Sequence, residues 1–151
     1  MLRNKAATSQ PEDFTSGTFR PVISDESVST DSVERVLVCS GKIAWDLFAE
    51  RAKREPEASR TAIVRLEQIY PRPTAELNAE IAKFPNAREI RWVQDEPANQ
   101  GPWPHIALNF MGEFDGLPLT RVSRAASSAP SVGSHSRHVQ EFEALMEQAF
   151  A

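Results

Sequence analysis

A change of apolar period that recurs along the chain constrains its fold more than any other feature. Arg35-Val-Leu-Val-Cys39 is a compact β-branched and aliphatic run, and Ser40-Gly41-Lys42 follows it as a tight turn follows a buried strand. From Ile43 the spacing switches: Ile43, Ala44, Leu47, Phe48 and Ala52 form one stripe, with Asp46, Glu50, Lys53 and Arg54 off it. That pattern predicts a helix closed before Pro56.

The alternation then repeats. Thr61–Leu66 reads as a second strand stopped by Pro71 and Pro73, with Thr74 placed to cap a helix whose inner face is Leu77, Ile81 and Phe84. Ile90, Trp92 and Val93 mark a third strand over 88–94, running into the polar turn Asp95-Glu-Pro-Ala-Asn-Gln-Gly101. Pro102 and Pro104 suit the first turn of a helix that faces inward through Ile106, Ala107 and Phe110. Leu117–Val122 predicts another strand, and Val139, Phe142, Met146 and Phe150 the buried stripe of a last helix.

Strands separated by helices need crossover connections, so the expected fold is α/β: a three-layer, mostly parallel sheet with helices on both faces. A chain of 151 residues has room for one such core. The reading divides it into a connector arm over 1–34 and an α/β domain over 35–151. Within the arm, Phe14, Phe19, Val22 and Ile23 are apolar enough to pack across another surface.

Composition narrows the chemistry. One cysteine and three histidines cannot furnish a zinc cluster, a disulfide framework or a CxxC pair. A net charge of -4 argues against nucleic acid as the main partner. No apolar run approaches the roughly 18 residues of a membrane span, and the polar start argues against export, which leaves the cytoplasm as the expected location.

Ligands of parallel sheets meet the loops at the carboxyl ends of the strands, here Ser40–Lys42, Gln68–Pro73, Asp95–Gly101 and Arg124–Ser134. Lys42 beside a helix start can receive an anion, although neither GxGxxG nor GxxxxGK is present; the alternative is an exposed lysine on a plain turn. Arg65, Glu67 and Gln68 can form an ionic network with Asp95 and Glu96 that ties two loops together. Alternatively, the Asp95/Glu96 pair could serve a small acidic hydrolase. Cys39 reads as a packing residue, while His135 and His138 share a helical face without a third ligand and His105 sits in a separate helix. Trp92 and Trp103 suit core edges or a subunit interface. Arg121 and Arg124 precede a small-residue loop that admits a ligand or another chain, or that simply links to the last helix.

Several strings resemble the C-terminal domain of the 2-oxoglutarate dehydrogenase E1 component, a thiamine-diphosphate-dependent, transketolase-like family, with actinobacterial enzymes as the nearest branch. They are Met1-Leu-Arg-Asn-Lys5, Asp13-Phe-Thr, Phe19-Arg-Pro-Val-Ile23, Val38-Cys-Ser-Gly-Lys42, Arg65-Leu-Glu-Gln-Ile-Tyr-Pro71 and, most specifically, Asp95-Glu-Pro-Ala-Asn-Gln-Gly-Pro-Trp103. Glu141-Phe142 departs from the Glu-Gln of many relatives. The resemblance implies a transketolase C-terminal-domain-like fold in an enzyme that decarboxylates 2-oxoglutarate and passes succinyl to a lipoyl group. Thiamine diphosphate and magnesium are then held by upstream domains, and this chain lacks a GDG-to-Asn motif for them.

The implied role is structural and assembly work, with no cofactor or catalytic residue in the chain and no activity alone. The implied partners are the upstream E1 domains, a second copy in a homodimer, and a lipoyl-bearing succinyltransferase. The resemblance also implies a regulatory acetyl-CoA site, for which loop position and charge nominate Lys42, Gln100, Arg121 and Arg124, with Ser127–Ser134 as an orienting loop. An independent acetyl-CoA or nucleotide-binding module is the alternative reading, and the acidic hydrolase the third.

Overall fold

Four strand-then-helix units succeed one another in the structure, a computed structural model that describes residues 4–112, 114 and 116–151. The start of the string Met1–Lys5 lies outside the described residues. The units run β2 (Arg35–Cys39) to α2 (Ile43–Lys53), β3 (Thr61–Leu66) to α3 (Thr74–Ile81), β4 (Glu89–Pro97) to α4 (Trp103–Phe110), and β5 (Leu119–Arg124) to α5 (His135–Phe150). Ahead of them stand a one-turn helix α1 (Glu12–Thr15) and a two-residue strand β1 (Val22–Ile23).

The five strands lie in the order β1-β3-β2-β4-β5, all neighbours parallel except β1 against β3. The central strand β2 is buried from Val36 to Cys39 because helices cover both its faces, which is why it reads as a continuous apolar run. Its alternate side chains sort into two cores. Val36 and Val38 join Val64, Trp92 and the inner faces of α3 and α4, while Leu37 and Cys39 join Ile63, Val93, Val122 and the inner faces of α2 and α5. The α/β, three-layer, mostly parallel architecture is therefore as expected.

Three local expectations are corrected. Strand β4 runs on through Asp95-Glu-Pro97, because Pro97 pairs with Arg124 of β5 across an irregular register. Thr74 is not the cap of α3: it lies inside the helix, where its hydroxyl accepts from Arg72 Nε at 2.8 Å. On α5 Met146 is buried and Phe142 and Phe150 are half-buried against the same core, as expected, but Leu145 and Ala149 complete the buried stripe and Val139 is exposed.

The segment read as an arm divides. Phe14 and Phe19 stand in solvent, whereas β1 pairs Val22 with Leu66 and Ile23 with Arg65, and Val33 is wholly buried. Between them Asp25, its side chain 1% exposed, forms an ion pair with Arg51 of α2, 7% exposed. Asp25 also accepts the Ile63 amide at 2.8 Å, and Arg51 donates to the Thr61 carbonyl at 2.8 Å. Burial pushes the Asp25 carboxyl up, yet hydrogen bonds from Arg51, Ser27 and the Ile63 amide hold it below the usual carboxylate value. Residues 22–33 are thus pinned to both α2 and β3.

Candidate functional site

The turn after β4 is organised around Gln94, a buried polar residue of that strand. Its side-chain oxygen accepts the Trp92 indole N–H at 2.9 Å and the Trp103 backbone N–H at 2.8 Å. Its amide group donates to the carbonyls of Pro97 at 3.1 Å and Gln100 at 2.7 Å. A buried primary amide is affordable only when satisfied in this way. The effect is to wrap the end of β4 and the turn that follows it, through Gly101, around one side chain.

The loop then grips its neighbour. Asn99 exchanges two hydrogen bonds with the Ser127 backbone, each 3.0 Å, and Gln100 donates to the Ser127 carbonyl at 2.8 Å. Gly101 closes the turn with φ +63, and a Cβ there would stand 2.9 Å from Glu96 Cβ. Both the left-handed backbone and the close approach therefore require glycine.

Arg124 is the ionic centre of the same region, with its side chain 7% exposed. It donates to the Asp95 carbonyl at 2.9 Å, to the Asp95 carboxylate at 2.8 Å and to Glu141 at 3.1 Å. Burial works against the charged guanidinium, but the two carboxylates more than offset it and raise its pKa. At Glu141 the hydrogen bond from Arg124 is the main cause of a lowered pKa, despite the Glu141-Phe142 departure.

The four residues nominated for an anion site do not converge. Lys42 pairs with Asp46 and lines a groove of about 680 Å³ between α2 and α5, together with Arg54, Asp95, Phe142 and Glu147. Gln100, Arg121 and Arg124 are not part of that lining. Arg121 points to the opposite face of the sheet from Arg124, as alternation along β5 requires, and lies over the Trp103 ring at 5.6 Å. Gln100 is engaged by the Ser127 loop, and Arg124 already faces two carboxylates.

Other candidates resolve simply. The expected network between the ends of β3 and β4 is not formed as drawn, because β2 lies between those strands; Asp95 turns to Arg124, and Arg65 stacks over Trp45 at 4.9 Å. Asp95 is ion-paired while Glu96 is exposed beside Gly101, so the two carboxyls do not flank a shared substrate space. Cys39 is buried, and burial pushes its thiol up to about 12. Among the described residues no three His, Cys, Asp or Glu side chains converge as metal ligands, and no helix is long and apolar enough to cross a membrane.

Gln94 and Arg51 are the structurally decisive polar residues that sequence reasoning did not select. A lone glutamine two residues after a tryptophan in a strand was the available signal for the first. Nothing local marks the second, since its partner lies 26 residues away.

Comparison with known proteins finds matches along nearly the whole chain. The family profile described as 2-oxoglutarate dehydrogenase C-terminal matches residues 8–150. The chain is 45% identical to the 2-oxoglutarate dehydrogenase E1 component of Cupriavidus necator over its whole length, which is 16% of that relative. It is 43% identical to the multifunctional 2-oxoglutarate metabolism enzyme of a Mycobacterium species, again over its whole length and 12% of the relative. The 2-oxoglutarate dehydrogenase E1/E2 component of Corynebacterium glutamicum matches at 43% over 99% of the chain and 12% of the relative. The chain thus spans about one eighth to one sixth of the length of these relatives, and their similar identities do not single out the actinobacterial branch.

Proposed function

Because this chain belongs to the 2-oxoglutarate dehydrogenase C-terminal family, we propose that it serves as the structural and assembly domain of an E1 component and is not catalytic by itself. The observation that carries this reading is what the polar side chains at the ends of β4 and β5 bind. Gln94, Asn99 and Gln100 bind loop backbone, and Arg124 binds Asp95 and Glu141. Such groups brace a surface; they do not present a nucleophile and a base to a substrate.

In the complete E1 so envisaged, the decarboxylation of 2-oxoglutarate would draw on thiamine diphosphate and magnesium bound by the upstream domains. The donor set of this chain does not fit that pair: Asp95 and Glu141 are engaged by Arg124, and among the described residues no three carboxylate, histidine or cysteine side chains converge. The upstream E1 domains, a second E1 copy and a lipoyl-bearing succinyltransferase are the proposed partners, and the cytoplasm the proposed location. Mixing this chain with Cupriavidus E1 from which the matched segment is removed tests the reading by light scattering: a stoichiometric complex is expected, and two independent species would contradict it.

Regulation by acetyl-CoA is the second reading, favoured by Lys42 on the rim of the α2–α5 groove. Calorimetric titration with acetyl-CoA tests it. Saturable binding weakened by Lys42→Ala supports a groove site, while unchanged affinity after removal of Lys42, Arg121 and Arg124 charges rejects the proposed footprint.

A further inference from the structure

Helix α4 is unlike the other long helices in what it shows to solvent. The exposed sides of α2 and α5, the groove between them included, carry Asp46 and Lys53, and Arg137, Glu143 and Glu147. From Pro97 to Gly112, by contrast, the sequence contains no Asp, Glu, Lys or Arg at all. Along that stretch Leu108 is 86% exposed and Met111 60%. Tyr70, 81% exposed in the β3–α3 loop, sets its ring edge-on to His105 of α4 with centroids 6.3 Å apart, and so joins the same face as Leu108, one helical turn on. The other large exposed aromatics, Phe14 and Phe19, stand by contrast beside Glu12, Asp13 and Arg20.

The charged neighbour of this face, Arg72, is held with its guanidinium over the Phe110 ring at 5.1 Å and donates to the Asn109 carbonyl; tyrosine and methionine are enriched at interface centres, where burying carbon is favourable. Building on the domain reading above, we propose that the face of Tyr70, His105, Leu108 and Met111 is where the rest of an E1 polypeptide packs onto this domain, through an uncharged apolar surface of its own. Two observations favour that occupant over a second copy of this chain. Most of the length of the Cupriavidus and Corynebacterium relatives lies outside the matched segment, so a large neighbour accompanies this domain there. Also, three projecting side chains, Leu108 on the eight-residue α4, Met111 just past its end and Tyr70 in the β3–α3 loop, fall short of the roughly 800 Å² per partner that a free-standing specific interface buries. A neighbour on the same polypeptide needs less area, because the connection supplies a high effective concentration.

Hydrogen exchange tests this in Cupriavidus E1 whose matched segment is replaced by this chain, with the 151-residue chain alone as reference. The amides of α4 are expected to exchange about tenfold more slowly in the chimera, with the outer turns of α5 unaffected. Leu108→Asp should erase that protection while leaving the unfolding midpoint of the chain alone unchanged. Protection confined to the α2–α5 groove would overturn the assignment and leave the domain reading standing. No added protection anywhere would overturn both. A concentration-dependent dimer of the chain alone, abolished by Leu108→Asp, would give the face to a second copy and reject the proposed occupant.

Discussion

The side-chain oxygen of Gln94 accepts the backbone N–H of Trp103 at 2.8 Å, fastening the start of α4 to the interior of β4. This contact joins the ends of the Asp95–Trp103 loop and makes the loop a rigid unit. Gln94→Leu keeps the volume but strands the Trp92 indole, the Trp103 amide and the carbonyls the glutamine served. The expected loss of stability is about 2–4 kcal/mol, read as a lowered urea midpoint with unchanged slope. A loss below the error of the measurement would mean that these groups find other partners.

Gly101 and Gly112 both adopt positive φ, +63 and +83, but only Gly101 has a neighbour in the way. Alanine at either site carries the left-handed penalty of about 1–2 kcal/mol; at Gly101 the contact with Glu96 adds to it. Gly101→Ala should therefore be the more destabilising of the two in parallel denaturant titrations, and equal effects would show that Glu96 simply moves aside.

Removing Asp25 leaves Arg51 buried without its carboxylate. Asp25→Ala should cost about 3–5 kcal/mol and should increase exchange of the β1 and Ile63 amides. The pH dependence has a defined sign. The folded-state pKa of Asp25 is depressed, so its contribution is complete above the unfolded carboxylate value near about 4 and is lost as pH falls through the folded value. Asp25→Asn and the parent chain should differ by a constant amount between neutral pH and the onset of that window, then converge in acid.

The Cys39 thiol is buried and pushed up to about 12, so it should resist thiol reagents at pH 8 in the folded chain and react fully in denaturant. Rapid labelling of the native protein would contradict its placement in the core.

What the sequence made legible follows from range. Strand β3 was readable to the residue because Thr61–Leu66 is bounded by its own neighbours, and α2 because its stripe is local. Strand β1 was not, since two residues carry no period and become a strand only by lying against Leu66 and Arg65. Asp25 sat in a segment that read as linker for the same reason: its meaning is Arg51 and Ile63, far along the chain. Arg124 had the right loop and charge for an anion, but Asp95 and Glu141, 29 and 17 residues away, already occupy it. The Asp95–Trp103 string was visible as a signature, whereas its use as a clasp required seeing Ser127 come beside Asn99.

On the proposed reading this chain supplies an E1 component with its C-terminal domain and does not carry the chemistry alone. The direct measurement is 2-oxoglutarate-dependent decarboxylation by three preparations at matched concentration: this chain, Cupriavidus E1 lacking the matched segment, and that E1 with this chain in place of the segment. No turnover is expected from the chain, little from the truncated enzyme and restored turnover from the chimera. Turnover by the chain alone, or a chimera no better than the truncated enzyme, would contradict that reading.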